Sequence, residues 1–287
     1  NCDSIADAEI MFNMMNERDL VTWTIMLSAY VEQGQGEKAL HLFNEMQQEN
    51  VTIDEVTITC LLQVGGQLGS LELCRELHFA IVAAGCDNIS SVIATLIHAY
   101  GSCASMADAQ CCFDELWRPD IVSWNAGISG YTREGNAIAS LGMFELSKLV
   151  NPRPSEVSFL SIISACGHAG LVVPGLEYFI SIRRDYGLNP DVKHYGSMLD
   201  LLARAGDFKR TQCVMTAMPV EVNQPIWLSL LASCRTHCNP EVAKHIFRNA
   251  VCLDATEASQ YILMSKIHAD SELLQECTVN IETIFPK

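Results

Sequence analysis

Cysteine and histidine are the side chains of this 287-residue chain best suited to metal binding or nucleophilic chemistry, and it holds 13 cysteines and eight histidines. A zinc-dependent nucleobase deaminase requires a His-x-Glu motif and a later Cys-x-x-Cys pair to hold the metal and move protons. No histidine is followed two residues later by glutamate, and no two cysteines are three positions apart. The sequence therefore predicts no deaminase chemistry.

One tight group of metal-binding side chains remains, Cys234, His237 and Cys238. On a helix, positions 234 and 238 share a face, so a metal site with a fourth ligand from elsewhere is geometrically conceivable. Cys234 falls in a core column of the repeat described below, and Cys238 replaces its turn glycine, so we favour structural roles. Gly-rich phosphate loops, His-Glu-x-x-His and Gly-x-Ser-x-Gly are also missing from the sequence. We predict a non-enzyme without metal or cofactor.

The composition is that of a folded protein. Hydrophobic residues make up 49% and charged residues 18%, which excludes intrinsic disorder. No apolar window reaches about 18 residues, so we expect no membrane-spanning helix. The odd number of cysteines forms no disulfide framework and indicates a reducing compartment. Because the chain begins Asn-Cys-Asp without a signal-like segment, we expect a fragment of a longer protein, with any transit peptide outside this chain. We also expect a monomer.

The charge is strongly acidic and unevenly distributed. The formal net charge is −16, and residues 1–143 hold 5 basic against 19 acidic side chains. A balance of this kind normally argues against a nucleic-acid partner. A polyanion would meet repulsion chiefly at the N-terminal half.

A repeat of 31–36 residues organises the chain. Repeats that start at Leu20, Glu55, Ser90, Ile121, Glu156, Val192 and Gln224 align three columns, and a further start falls near Ala258. Position 8 is always aliphatic, position 24 is mostly phenylalanine, and position 15 is mostly glycine. Apolar residues recur at helical spacing on both sides of that glycine, as in Trp23, Leu27 and Tyr30. The pattern predicts helix-turn-helix hairpins, which must stack on neighbours to bury their apolar faces.

The residues of these hairpins resemble plant-type pentatricopeptide repeats rather than tetratricopeptide repeats. The resemblance is carried by Asp19-Leu-Val-Thr-Trp-Thr-Ile-Met-Leu-Ser-Ala-Tyr30, Asp120-Ile-Val-Ser-Trp-Asn-Ala-Gly-Ile-Ser-Gly-Tyr131 and Ala39-Leu-His-Leu-Phe-Asn-Glu-Met46. It implies an all-α fold, a right-handed α-solenoid of stacked hairpins, and it covers nearly the whole chain. The Trp and Met columns are expected to fill the core.

The repeat lengths alternate as in the P-L-S triplets of organellar RNA-editing factors. On that resemblance, residues 1–19 are the tail of an S-type repeat, and residues 20–223 form two triplets: P 20–54, L 55–89, S 90–120, P 121–155, L 156–191 and S 192–223. Residues 224–287 resemble the E-type extension motifs, since Ile226-Trp-Leu-Ser-Leu-Leu-Ala-Ser-Cys-Arg-Thr-His237 is similar to the first motif. The second motif departs from the family after Asp270.

The resemblance also implies which side chains contact RNA. In the family, position 5 and the last residue of a repeat hydrogen-bond the edge of one base. Carried over, Thr24 with Asp54 favours guanine, and Asn125 with Ser155 favours cytosine. Position 2 packs on the base plane, a role that fits four valines: Val21, Val56, Val122 and Val157.

Other positions of the code are weaker. Ala94 with Asp120, Thr59 with Ile89, and Leu160 with Asp191 predict no clear base. Asn223 remains a candidate reader, although it pairs with Gly196 and predicts no clear base.

Two arginines are expected to contact phosphate. Arg133 and Arg204 stand at position 13, where a cation can face the RNA backbone, while Glu32 and Ser102 replace a cation in other repeats. We therefore expect weaker RNA binding than in a basic relative.

Three functional interpretations follow. The favoured one is sequence-specific binding of single-stranded RNA in a mitochondrion or chloroplast. On the family resemblance, such a protein directs C-to-U editing and recruits a deaminase or accessory editing protein in trans through residues 224–287. The alternative is a protein-interaction scaffold whose acidic half docks a basic partner. A third is a divergent copy that folds but reads no RNA.

Overall fold

The computed structural model describes residues 5–15, 17–49, 51–87, 89–150, 153–219, 223–254 and 257–270, and these ranges contain helices and no strand. The helices are α1 (Ile5–Met14), α2 (Leu20–Glu32), α3 (Gly36–Gln48), α4 (Glu55–Leu68), α5 (Leu71–Ala83), α6 (Ser90–Ser102), α7 (Met106–Asp114), α8 (Ile121–Glu134), α9 (Ala137–Leu149), α10 (Glu156–Ala169), α11 (Val172–Arg184), α12 (Val192–Arg204), α13 (Phe208–Ala217), α14 (Gln224–Thr236) and α15 (Pro240–Leu253). Residues 258–270 are also helical. The chain divides into two compact units, residues 1–161 and 162–287, and each is described by itself.

The predicted repeat register coincides with the helix starts. Its seven repeats begin at the first residues of α2, α4, α6, α8, α10, α12 and α14. In each repeat a short turn follows and a second helix completes the hairpin, so the predicted hairpins are confirmed. The helix at 258–270 also begins at the predicted eighth start. The sequence after Asp270 and the first four residues lie outside the described residues.

A polar cap fixes the start of most first helices. Asp19, Asp54, Asp120, Asp191 and Asn223 each accept a hydrogen bond from the backbone N–H three residues later. Each cap satisfies an N–H that has no partner within its helix, and the four carboxylates lie at the positive end of a helix dipole. These five residues are the last of their repeats, so a repeat boundary in the sequence is a helix start in the structure.

The Asp54 cap has a second donor. Its Oδ1 accepts from the Thr57 backbone nitrogen at 2.9 Å and from Thr57 Oγ1 at 2.7 Å. The backbone hydrogen bond, with help from the hydroxyl, holds the pKa of Asp54 below its ordinary value of 3.8. The ionised carboxylate is therefore the capping form near neutral pH.

The turn inside each hairpin uses left-handed backbone. Position 15 has positive φ in every repeat, at Gly34, Gly69, Ala104, Gly135, Gly170, Gly206 and Cys238. Glycine takes this conformation without a Cβ penalty, whereas Ala104 (φ 55°) and Cys238 (φ 50°) carry a side chain there. The glycine column of the sequence is thus a column of left-handed turns.

Aromatic edge contacts join consecutive hairpins. In the first compact unit, Phe113 of α7 packs its ring at 67° and 4.7 Å against Trp124 of α8. Phe144 of α9 meets Phe159 of α10 in the same way, at 5.2 Å. In the second unit, Phe179 and Tyr195 repeat the contact at 5.1 Å. Position 24 of one repeat therefore packs on position 4 of the next, and such edge-to-face pairs add about 0.5–1.5 kcal/mol beyond area burial.

Small residues let the first helices of neighbouring hairpins approach closely in the first unit. A Cβ on Gly101 of α6 would lie 3.1 Å from the Cα of Gly130 in α8. A Cβ on Gly66 of α4 would lie 3.3 Å from the Cα of Ala99 in α6. The backbones of α4, α6 and α8 are thus in near contact, which sets these helices side by side.

Each compact unit has its own core. The first contains Trp23, Leu27 and Met46, all fully buried, and the second contains Trp227, Leu230 and Leu231. The Trp column predicted to be core is buried at Trp23, Trp124 and Trp227, with exposed fractions of 0%, 6% and 7%. Among the described helices, none has the length and apolar character needed to cross a membrane.

Replacing Ala104 with glycine should stabilise the protein. Removing the Cβ from a left-handed turn relieves conformational strain, so we expect the free energy of unfolding to rise by about 0.5–1 kcal/mol. Urea titration followed by far-ultraviolet circular dichroism measures this change.

Gly135→Ala is the matched control, because it places a Cβ in the equivalent turn (φ 81°), where no atom lies within 4 Å. It should lower the free energy of unfolding by about 1 kcal/mol through backbone strain. Destabilisation by Ala104→Gly would contradict this account of the turn.

Replacing Thr57 with valine should raise the pKa of Asp54, measured by carbon-13 NMR of the carboxyl group. The pKa should stay below 3.8, because the Thr57 backbone N–H, the largest cause of the lowered pKa, remains. A carboxyl whose pKa is lower when folded adds stability above its unfolded pKa and loses it as pH falls through the folded pKa. The variant should therefore lose less stability than the parent protein in that acid range.

Thr59→Val is the control for this titration, since the Thr59 hydroxyl donates to the Glu55 carbonyl rather than to Asp54. It should leave the Asp54 pKa unchanged. An Asp54 pKa that does not move in Thr57→Val would show that the hydroxyl plays no part in the cap.

Candidate nucleic-acid interface

The valines predicted to pack on bases are exposed on the first turn of their helices. The exposed fractions are 62% for Val21, 52% for Val56, 55% for Val122 and 56% for Val157. Two positions later in each helix, the side chain is buried, as at Trp23 and Trp124. One helical turn therefore sends position 4 into the core and leaves position 2 on the surface.

The first groove lies between α2 and α4 and has a volume of about 490 Å³. Val21, Thr24, Asp54 and Val56 all line it, together with Glu32. Thr24 is 8% exposed, and its hydroxyl donates to the Leu20 carbonyl oxygen at 2.7 Å. The predicted pair Thr24 and Asp54 therefore shares one groove, in which the Thr24 oxygen keeps acceptor capacity.

The second groove is larger, at 810 Å³, and lies over α4, α6 and α8 and the start of α10. Val122, Asn125, Arg133 and Val157 line it. The two valines belong to consecutive repeats, and Asn125 belongs to the repeat that begins with α8. The groove thus collects an exposed apolar side chain from each of two repeats and a polar side chain of the first.

The predicted pair Asn125 and Ser155 is in direct contact. Asn125 Nδ2 donates to Ser155 Oγ at 3.1 Å, and Ser158 Oγ donates to Asn125 Oδ1 at 2.5 Å. The Ser155 backbone N–H in turn donates to Ser158 Oγ at 2.9 Å. An amide group has two N–H donors and two acceptor lone pairs, so a ligand can still use one of each. Ser158, which sequence reasoning missed, fixes the amide orientation.

The two grooves differ in charge. Two acidic residues, Glu32 and Asp54, line the first, whereas the described residues that line the second include no aspartate or glutamate. Arg133 lines the second groove and donates from Nη1 to Ser102 Oγ at 2.6 Å. Polar side chains that the sequence analysis did not select also line it: Gln63, Gln67, Thr95, His98, Ser102 and Ser129.

The second compact unit carries the remaining predicted contacts. Arg204 donates from Nε to Asp200 Oδ2 at 2.6 Å, a pairing that offsets its charge. Asn223 caps α14, with Oδ1 accepting from the Ile226 nitrogen at 3.4 Å, and lines a groove of 350 Å³. Lys193 also lines this groove, at the position where four other repeats have valine. In this unit Asn223 and Lys193 therefore line one groove, whereas Arg204 is paired with Asp200.

The three side chains of the cysteine–histidine group at the end of α14 have different surroundings. Cys234 is fully buried, and burial raises the pKa of its thiol to about 12. His237 Nε2 lies 2.8 Å from the Arg204 carbonyl oxygen, while Cys238 is exposed in the turn. Across the part of the chain that the structure describes, no cluster of three His, Cys, Asp or Glu side chains could hold a metal ion.

Comparison with known proteins places the repeats in a family. Residues 18–64 match the sequence model of the PPR repeat family, and residues 122–148 match that of the PPR repeat. A pentatricopeptide repeat-containing protein of Arabidopsis thaliana is 36% identical over 96% of this chain and 35% of its own length. A mitochondrial relative from the same plant is 35% identical over 89% of this chain and 28% of its own length.

A third Arabidopsis thaliana relative, the pentatricopeptide repeat-containing protein CRR2, is chloroplastic and 34% identical over 94% of this chain and 41% of its own length. This chain therefore spans less than half of these relatives.

The fold matches a solved structure of the same family. The pentatricopeptide repeat protein PPR10, crystallised with an 18-nucleotide psaJ RNA element, superposes with a TM-score of 0.58 at 18% identity. The match covers 98% of this chain and 47% of that one. It confirms the predicted all-α solenoid of stacked hairpins. With its repeat register, its relatives and this fold, the chain belongs to the pentatricopeptide repeat family.

Proposed function

We propose that this chain binds single-stranded RNA in a sequence-specific manner, one base per hairpin, along the grooves of its first helices. A groove that reads a splayed base needs an apolar surface for the base plane and a polar group for its edge. Exposed valine at position 2 and the polar pair formed by position 5 and the last residue supply these two features. The related protein PPR10 was crystallised with an RNA element, and this supports RNA as the class of ligand.

The observation that carries the proposal is Asn125, which lines the 810 Å³ groove and donates from Nδ2 to Ser155 Oγ. The amide is held by Ser155 and Ser158 and lies in a groove also lined by the exposed valines Val122 and Val157. A base held between two valines would meet a pre-oriented amide, so little side-chain freedom would be lost on binding. An amide can both donate and accept, which suits the edge of a pyrimidine, and we propose cytosine here.

The first groove supports a different base. Thr24 and Asp54 line it together, and the ionised Asp54 carboxylate accepts hydrogen bonds. A carboxylate suits the N–H donors on the edge of guanine, the base that the family code assigns to this pair. Because α2 and α8 are three hairpins apart, we propose guanine and cytosine at a spacing of three bases.

Acidic charge sets the strength of this binding. The net charge is −16, and the Asp200 carboxylate already pairs with one of the two proposed phosphate contacts, Arg204. Each missing phosphate contact weakens the sequence-independent part of the affinity. We therefore propose selective but weak binding that is detectable at low salt.

We further propose that the chain is part of an organellar editing specificity factor. The repeat lengths support P-L-S triplets over residues 20–223 and E-type motifs over residues 224–287, and relatives named mitochondrial and chloroplastic support an organelle. Recruitment of a deaminase requires a surface for a protein partner. Leu253, Tyr261 and Ile262 are exposed in the second unit by 49%, 43% and 53%, which supports such a surface.

RNA selection tests the binding proposal. Random-sequence RNA pools, bound at low and at moderate salt and separated by electrophoretic shift, should become enriched in G and C three bases apart. Asn125→Ala should reduce the preference for cytosine about threefold to tenfold, because a net hydrogen bond contributes about 0.5–1.5 kcal/mol. It should leave the guanine preference in place.

The matched control is Asn44→Ala, because Asn44 is exposed on α3 and lines neither groove of the first unit. Its selected sequences should equal those of the parent protein. An unchanged cytosine preference in Asn125→Ala would remove that residue from base recognition. A parent protein that retains no RNA even at low salt would favour the protein-interaction scaffold instead, in which acidic charge attracts a basic partner.

A conversion assay tests recruitment separately from RNA binding. A cytidine deaminase supplied as a second chain should convert cytidine in the bound RNA, and Ile262→Asp should lower that conversion without changing RNA affinity. The reason is that a charge in an apolar docking surface loses hydration on contact. Conversion that is unaffected by Ile262→Asp would exclude this surface.

A further inference from the structure

Arg133 differs from other cations of the first compact unit in the partners that hold it. Four of these cations pair with carboxylates, in Arg18–Glu49, Lys38–Glu9, Arg75–Asp108 and Lys148–Glu145. Arg133 instead contacts the neutral groups of Ser102 and His98. Its positive charge is therefore not offset by these contacts, in the half of the chain that is most acidic.

The two partners lie on the neighbouring hairpin. His98 and Ser102 are one turn apart on α6, and Arg133 reaches them from the last turn of α8. The Arg133 Nη1–Ser102 Oγ distance is 2.6 Å, and the Arg133 Nη2–His98 Nε2 distance is 2.5 Å. This reach is short because α6 and α8 are in near contact at Gly101 and Gly130.

The guanidinium keeps donors for a further ligand. Arginine has five N–H donors in a planar fork, and two of them serve Ser102 and His98. The remaining donors belong to a side chain that lines the 810 Å³ groove. A guanidinium fork of this kind suits the oxygens of a phosphate group.

His98 can accept from Arg133 only when its imidazole is neutral at Nε2. Partial removal of the ring from water lowers the pKa of His98, and the Arg133 charge lowers it further. From α4, the neutral side chains Gln63 and Gln67 line the same groove, and the described lining residues include no acid that would stabilise a protonated ring. The neutral, accepting form of His98 is thus the favoured one at neutral pH.

We propose that His98 and Ser102 are positioning residues that hold the Arg133 guanidinium at the groove, where it binds a phosphodiester of the RNA. Arg133 makes the contact, and α6 of the preceding repeat supplies the orientation. The groove then offers three things to one nucleotide: valines for the base plane, Asn125 for the base edge and Arg133 for the backbone. This proposal rests on the RNA binding proposed above.

Salt dependence of RNA affinity is the test, measured by fluorescence anisotropy with the selected RNA. Arg133→Ala should reduce the slope of log affinity against log salt by about 0.7, the value for one phosphate contact on a single strand. His98→Ala and Ser102→Ala should each weaken binding about threefold, since the guanidinium loses one holding partner. His98→Gln should restore affinity, because its amide oxygen can accept from Arg133.

The control is His41→Ala, which removes an exposed histidine of α3 that lines neither groove of this interface. It should keep the parent affinity and slope. Parent affinity in both His98→Ala and Ser102→Ala would overturn the positioning role while leaving RNA binding intact. Equal loss in His98→Ala and His98→Gln would also overturn it, since the hydrogen-bond acceptor would then be irrelevant.

Inorganic pyrophosphate separates this proposal from RNA binding itself. NMR signals of the His98 ring should move when pyrophosphate is added to the parent protein and should not move in Arg133→Ala. That result with no RNA binding would support the anion contact and overturn the proposed function. No movement in the parent protein, together with no RNA binding, would overturn both.

Discussion

The contact between consecutive hairpins is the constraint on which the rest of this structure depends. A lone helical hairpin cannot bury its apolar face, so each one needs a neighbour. Phe113 on Trp124 and Phe144 on Phe159 make that contact with edge-to-face rings. Because position 4 must point at the preceding hairpin, position 2 of the same turn must point away from it. The exposed valines of the candidate interface are thus a consequence of how the core is built.

At the repeat boundary, too, one residue has both a structural role and a place in the candidate interface. The last residue of a repeat caps the next first helix, and Asp54 does so while also lining a groove. The cap holds the carboxylate in one orientation and keeps it ionised, as its lowered pKa indicates. The hydrogen bond from Asn125 Nδ2 to Ser155 Oγ likewise holds the Asn125 amide in one orientation. Recognition groups held by the fold itself bind with less loss of conformational freedom.

The sequence predicted those features of the fold that recur at the same position in successive repeats. Helix starts, the left-handed turn and the buried Trp column all recur every 31–36 residues, so alignment of the repeats exposed them. The Arg133 contacts were not found in this way, because no other of the seven aligned repeats has a histidine at the position of His98 or a serine at the position of Ser102. The Arg204–Asp200 pair could have been predicted from the sequence, since the two residues have the i, i+4 spacing of a helical ion pair.

The net charge of the chain does not give the electrostatic potential inside one groove, because salt screens charges over short distances. The Debye length is about 8 Å at physiological ionic strength, so an exposed carboxylate well outside a groove is largely screened from a ligand inside it. The described lining of the 810 Å³ groove carries an arginine and no acid. An RNA phosphate there would feel Arg133 more than the −16 of the whole chain. In the proposed complex, acidic charge elsewhere would weaken long-range attraction and non-specific binding, and would leave a larger share of the affinity to the hydrogen bonds and packing that distinguish one base from another.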